Sequence, residues 1–263
     1  MAKKAKLIDV SRCTACRGCQ AACKNWNQLP AVETQFTGSY ENPPEFQPTT
    51  WTRVTFNEDS SNGQVKWHFA KKQCMHCTDA ACLTICPAQA IYHTPLGTVR
   101  IDQEKCVGCG ACVAACPFGV PRVDPNIKKS KKCTMCYERL TNDKKPACVT
   151  TCPTGALSFG DRDEMIALAE ERVATLKERG YANAQLYGVD ELGGLGVIYV
   201  LTESPAAYNF PENPTISEAT MYLWRMALGP VRTLATVGLA AGAFFGWLQM
   251  RKEEIRKEKE ASK

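Results

Sequence analysis

Cys106-Val107-Gly108-Cys109-Gly110-Ala111-Cys112-Val113-Ala114-Ala115-Cys116-Pro117 is the stretch whose reading decides the fold. It is a C-x2-C-x2-C-x3-C run closed by proline. Three thiols spaced two residues apart can loop around one small metal body. The fourth, three residues further on, leaves on a helical turn and faces a second body; runs of this kind bind [4Fe–4S] clusters. The proline fixes the backbone as the chain departs.

Working outward, Cys13, Cys16, Cys19 and Cys23 repeat the same spacing. Cys74, Cys77, Cys82 and Cys86 stretch it to C-x2-C-x4-C-x3-C, and Cys133, Cys136, Cys148 and Cys152 to C-x2-C-x11-C-x3-C. Cys86, Cys116 and Cys152 are each followed by proline. The four quartets use all 16 cysteines of the 263-residue chain, which matches four [4Fe–4S] clusters at four thiolates each. A chain that spends its cysteines this way moves electrons. Disulfide scaffolds are short secreted chains, zinc ribbons use two pairs rather than a triplet followed by Cys-Pro, and no C-x-x-C-H string for haem attachment occurs. His76, between Cys74 and Cys77, reads as a local packing residue.

The formal charge is +5 with every cysteine neutral. Each cubane with four thiolates brings about −2, so four clusters carry the holo-protein to roughly −3. The basic residues near the ligands, Lys105, Arg122, Lys128, Lys129, Lys131 and Lys132, therefore offset cluster charge, and nucleic acid is not expected as a partner.

Residues 1–160 read as a four-cluster domain of α+β class with an insert over 24–73. Within the insert, 51–56 and 65–69 alternate as two strands around a turn at 57–64. Residues 74–117 form one two-cluster ferredoxin-like unit, with a short strand pair at 90–92 and 98–102. The first and last quartets are left to form a second such unit. Residues 161–225 are an extension and linker. Asp161 with Glu164 resembles a capping box; Met165, Leu168, Ala169, Val173 and Leu176 follow at helical spacing, and Gly180 ends the helix. Val197–Leu201 reads as a buried strand after a flexible Gly193-Gly194-Leu195-Gly196.

Residues 226–250 are expected to form a transmembrane helix: 233–250 carry no charge, and a span needs about 20 residues. Gly238, Gly242 and Gly246 form a row that suits close helix packing. The tail 251–263 holds six Lys and Arg against two in the twenty residues before Thr233. The positive-inside rule then puts the tail in the cytoplasm and the clusters in a bacterial periplasm, on a single-pass inner-membrane anchor. No signal peptide precedes Cys13, so export would rely on a signal-bearing partner.

Beyond the ligands, Lys6-Leu7-Ile8-Asp9-Val10-Ser11, Cys116-Pro117-Phe118-Gly119-Val120-Pro121-Arg122, Pro146-Ala147-Cys148 through Ala156, Leu168–Val173, Lys177–Tyr181 and 193–201 resemble one family over nearly the whole chain: the iron–sulfur β subunit of respiratory, membrane-bound formate dehydrogenase. The resemblance implies a non-catalytic subunit of a heterotrimer. A molybdenum or tungsten pterin subunit would oxidise formate, and this chain would pass electrons to a membrane cytochrome b subunit and quinone. Related nitrate reductase subunits lack one cysteine of the third quartet and hold a [3Fe–4S] cluster; here Cys109 is present. By analogy with the ferredoxin rule, the clusters are assigned to Cys13, Cys16, Cys19 with Cys152; Cys133, Cys136, Cys148 with Cys23; Cys74, Cys77, Cys82 with Cys116; and Cys106, Cys109, Cys112 with Cys86. The resemblance places the first of these nearest the catalytic subunit and the last nearest the membrane haem. An equivalent subunit of a hydrogenase or of a polysulfide or sulfoxide reductase is the alternative, and a freestanding membrane-tethered ferredoxin a third reading.

Overall fold

The computed structural model describes residues 3–60, 63–216, 238, 242–252 and 257. The chain divides into two units, 1–216 and 217–263. In the first, β1 (Lys4–Asp9) leads into α1 (Gly18–Trp26), a hairpin of β2 (Arg53–Asp59) and β3 (Lys66–Lys72), and α2 (Ala81–Thr84). A small hairpin, β4 (Ile91–His93) with β5 (Val99–Ile101), is followed by α3 (Ala111–Ala115) and a second, β6 (Arg122–Asp124) with β7 (Lys129–Lys131). Then come α4 (Tyr137–Leu140), α5 (Ala147–Thr150), β8 (Leu157–Asp161), α6 (Arg162–Glu178), β9 (Gln185–Tyr187) and β10 (Val197–Leu201).

The organising sheet has the order β8-β1-β10-β9. β1 lies inside it, antiparallel to β8 and parallel to β10, with Lys6 opposite Val197 and Ile8 opposite Tyr199. Alternation sends the two faces to different cores. Ala5, Leu7, Ile198 and Val200 pack under α6 with Met165, Ala169 and Leu176. Ile8, Val10, Val197, Tyr199 and Leu201 pack on the other side with Met75, Met135 and Cys148. The sheet is thus a wall between a helix and the cysteine-bearing loops. Fully burying a side chain such as Leu176 contributes roughly 1.5–3 kcal/mol.

Short helices carry the quartets' later cysteines. α1 packs on α5, bringing the first quartet to the last, and α2 packs on α3, joining the middle two. The hairpin of the insert is antiparallel but runs later than its apolar alternation indicates. Its strands reach Asp59 and Lys72, pairing Arg53 with Lys72 and Asp59 with Lys66, because cross-strand rings of Phe56, Trp67 and Phe69 pack along them.

Three local expectations change. Asp161 stands at the start of α6 but makes no side-chain cap; its carboxylate accepts from Lys4 Nζ at 2.7 Å instead, fastening β8 to β1. Leu168 is exposed although it shares the helical period of its buried neighbours. The segment 192–196 is a tightly held loop rather than a flexible one. Thr78 N donates to Gly194 O and Asp79 N to Leu192 O, each at 2.9 Å, and Gly196 N donates to Met75 O at 2.9 Å. A Cβ at Gly196 would stand 3.0 Å from His76 Cβ, so the loop needs glycine to approach so closely.

The membrane helix expected over 226–250 is corrected, and with it the single-pass inner-membrane placement with periplasmic clusters and a cytoplasmic tail. Among the described residues no helix is long and apolar enough to cross a membrane. The described helical run in that region is 242–252. Within it Phe244 stacks on Trp247 at 6.2 Å. Most of the expected span, residues 226–237 and 239–241, lies outside the described residues.

Candidate iron–sulfur site

All sixteen cysteines are free thiols. Cys13, Cys16, Cys19 and Cys152 line one cavity, walled by Ile8, Val54, Leu157 and Lys71. Cys74, Cys77, Cys82 and Cys116 line a second, with Met75, Val99, Val120 and Lys132. Cys86, Cys106, Cys109 and Cys112 line a third, with Ile91, Ile101 and Ser130. Cys23, Cys133, Cys136 and Cys148 are buried together, close enough that Cys133 and Cys148 each push up the pKa of Cys23 and Cys136. In every set three thiols come from one quartet and the fourth from its partner.

The donor chemistry fits a cluster. Four soft sulfurs stand around an apolar space, the environment in which iron–sulfur centres are held. Among the described residues no group of three His, Cys, Asp or Glu side chains forms a single-ion site. Backbone amides point at the sulfurs. Ala90 N donates to Cys86 Sγ at 3.4 Å, Ser130 N to Cys106 Sγ at 3.3 Å and Met135 N to Cys133 Sγ at 3.4 Å. Such bonds, with local charge and exposure, set cluster potentials.

Local backbone geometry makes these approaches possible. Gly108 has φ +68°, and a Cβ there would fall 2.1 Å from Lys128 O. The third quartet's loop is therefore laid directly on the β6–β7 turn. Asp9 accepts from Ser11 N at 3.0 Å, shaping the chain just before Cys13.

Burial raises most of the thiols: Cys19 to about 11 and Cys23 and Cys82 to about 12. Cys148 is pulled the other way, to about 7. Burial alone would raise it, but Lys6 and Lys71 outweigh that, helped by the Lys6 hydrogen bond. Lys6 Nζ donates to Cys148 Sγ at 3.0 Å and to Gln73 Oε1 at 3.0 Å. Desolvation alone would lower Lys6, yet the Cys148 and Cys133 thiolates hold it above its ordinary value. His76 is buried, its Nδ1 accepting from Val99 N at 2.9 Å. Burial and then Lys132 and Lys6 hold it well below its usual pKa and neutral, so it packs and orders the loop.

Of the basic residues expected to offset cluster charge, Lys132 alone lines one of these cavities. Lys6, Lys71 and Gln73 carried no sequence signal as site residues. Lys6 sits in an apolar strand whose neighbours Ala5, Leu7 and Ile8 leave its facing ambiguous, and only pairing on both edges of β1 buries it.

Crossed cysteine quartets around apolar cavities, on a ferredoxin-like α+β frame, define an iron–sulfur electron carrier. A 4Fe-4S dicluster domain model matches residues 65–162 and a 4Fe-4S binding domain model residues 10–26. The chain is 45% identical over 241 residues to the formate dehydrogenase iron-sulfur subunit of Haemophilus influenzae, covering 90% of this chain and 77% of that one. It is 42% identical over 251 residues to the nitrate-inducible formate dehydrogenase iron-sulfur subunit of Escherichia coli, covering 94% and 85%. To formate dehydrogenase 2 subunit beta (cytochrome c-553) of Nitratidesulfovibrio vulgaris it is 42% identical over 214 residues, covering 78% and 96%. The chain belongs to the family of formate dehydrogenase iron–sulfur subunits. Its work is electron transfer through iron–sulfur cofactors, without a catalytic site of its own.

Proposed function

We propose that the sixteen cysteines hold four [4Fe–4S] clusters in the crossed sets described above, and that this chain carries electrons from a formate-oxidising molybdenum or tungsten pterin subunit to a membrane cytochrome b subunit and quinone. The observation that carries the reading is the crosswise grouping: Cys152 joins Cys13, Cys16 and Cys19 around one cavity, and Cys116 joins Cys74, Cys77 and Cys82 around another. The bound clusters supply one-electron acceptors. The chain's residues do the rest. Thiolates fix the iron, apolar walls exclude water, and amide N–H groups and buried lysines set how readily each site takes an electron. Cys16 and Cys109 are exposed, which suits electron entry near the first set and exit near the one containing Cys109.

Iron and acid-labile sulfide in the purified complex test this directly, and each is expected to approach sixteen per chain. Stoichiometric zinc, or half that iron in fully loaded protein, would overturn the four-cluster reading. Formate-dependent dye reduction by the same preparation tests the donor.

A further inference from the structure

Lys6 and Lys71 are 0% and 1% exposed. Both Nζ atoms donate to one acceptor, Gln73 Oε1. Among the described residues neither lysine forms an ion pair with a carboxylate. Two ammonium groups sharing one carbonyl oxygen in a water-poor interior repel each other and have lost their hydration, an arrangement that persists only beside compensating negative charge. Sulfur is what they face. Lys6 touches Cys148 Sγ at 3.0 Å, and Lys71 walls the cavity of Cys13, Cys16, Cys19 and Cys152. The position is rigid: β1 is paired on both edges, and Tyr199 OH donates to Lys71 O at 2.7 Å.

We propose that Lys6, Gln73 and Lys71 form a charged bridge that raises the reduction potentials of the clusters held by Cys13/16/19/152 and by Cys23/133/136/148, and so favours the step that brings an electron onto this pair. This rests on the ligand sets of the proposed function. In that step one electron leaves the preceding redox centre, oxidising it, and enters one of the two sites, reducing it; no bond forms and no proton moves. Reduction adds negative charge, and a fixed positive charge in a low-dielectric surround favours it more than water would allow. The set of Cys86, Cys106, Cys109 and Cys112 has no lysine in its wall and receives a hydroxyl, Ser130 Oγ at 3.2 Å from Cys112 Sγ. The set of Cys74, Cys77, Cys82 and Cys116 has its own buried lysine, Lys132, in its wall, so neither of the other two sites depends on the bridge.

The test is an EPR-monitored redox titration of the holo-complex. Lys6→Met is expected to lower the reduction equilibrium constant of the cluster held by Cys23/133/136/148 at least tenfold, about 59 mV for one electron, and Lys71→Met to lower both that cluster and the one held by Cys13/16/19/152, while the midpoints of the other two stay within about threefold of wild type. Lys6→Arg keeps the charge and is expected to keep the midpoint. Where a methionine variant fails to load iron, the isosteric Gln73→Glu decides: a carboxylate between the lysines cancels their field and should lower both midpoints together. Unchanged midpoints in variants with full iron content overturn the bridge and leave the ligand sets standing. A wild-type protein with too little iron for four cubanes overturns the ligand sets instead.

Discussion

Arg172 Nε lies 2.7 Å from Asp9 Oδ2, and an Arg172 guanidinium nitrogen lies 3.0 Å from Ser11 Oγ. Through this pair α6 grips the turn that delivers Cys13, across most of the length of the first unit. Asp9 is buried, so removing the arginine strands a carboxylate that, among the described residues, keeps only Arg12, at 3.4 Å, as a cationic partner. Arg172→Ala should cost about 2 kcal/mol, which lowers the thermal midpoint by about 4–8 °C for a domain of this size. Scanning fluorimetry or calorimetry checks it; an unshifted midpoint would mean the pair is a surface ornament.

Gly108→Ala should disable one cluster without unfolding the chain. The new Cβ would overlap Lys128 O, and φ of +68° is itself unfavourable for alanine. The loop must lift off β6–β7, moving Cys106 and Cys109 away from Cys86. Iron content should fall while the far-ultraviolet circular dichroism stays close to wild type; full iron content would show that the loop can shift freely.

Cys109→Ser should perturb the cluster of Cys86, Cys106, Cys109 and Cys112, leaving a [3Fe–4S] centre or none. Formate-dependent reduction of an artificial dye should persist while turnover with the physiological acceptor falls. Unchanged acceptor-linked turnover would remove Cys109 from the electron path.

Cluster loading should be favoured by rising pH. Cys23 and Cys82 are pushed up to about 12, against 9.0 for an ordinary cysteine here, first by burial and then by neighbouring thiolates. The folded apo-chain thus keeps protons that the unfolded chain releases, so its stability falls as pH rises from about 9 towards 12. Cys148, at about 7, acts oppositely between about 7 and 9. Ligation needs thiolates and expels the retained protons, so anaerobic iron incorporation should increase from about pH 7 to pH 9. A flat profile would show the thiols already ionised.

The thiol groups were legible because ligand spacing is a local property of the chain: Cys106, Cys109 and Cys112 must loop around one body whatever the rest does. The strand Val197–Leu201 was equally plain, since a short apolar run after glycines has few other uses. Asp161 was misread because its pattern fits a cap, and only the sheet reveals Lys4 as the nearer partner. Lys6 was invisible for a related reason, as no residue near it in sequence says that β8 and β10 close both edges. The stretch 233–250 reads as a span because it is uncharged, about a bilayer long and flanked by basic residues, yet among the described residues no helix is long and apolar enough to cross a membrane.

The crossing of quartets also fixes a schedule for biogenesis. Cys13 emerges from the ribosome about 140 residues before Cys152, its neighbour around the cavity. At about 5–20 residues per second, that is roughly 7–28 s of waiting. The thiols made first are the last to be completed, so iron insertion there has to follow synthesis of Cys152, and a nascent chain stalled before Cys152 would carry an unfinished site exposed to oxidation.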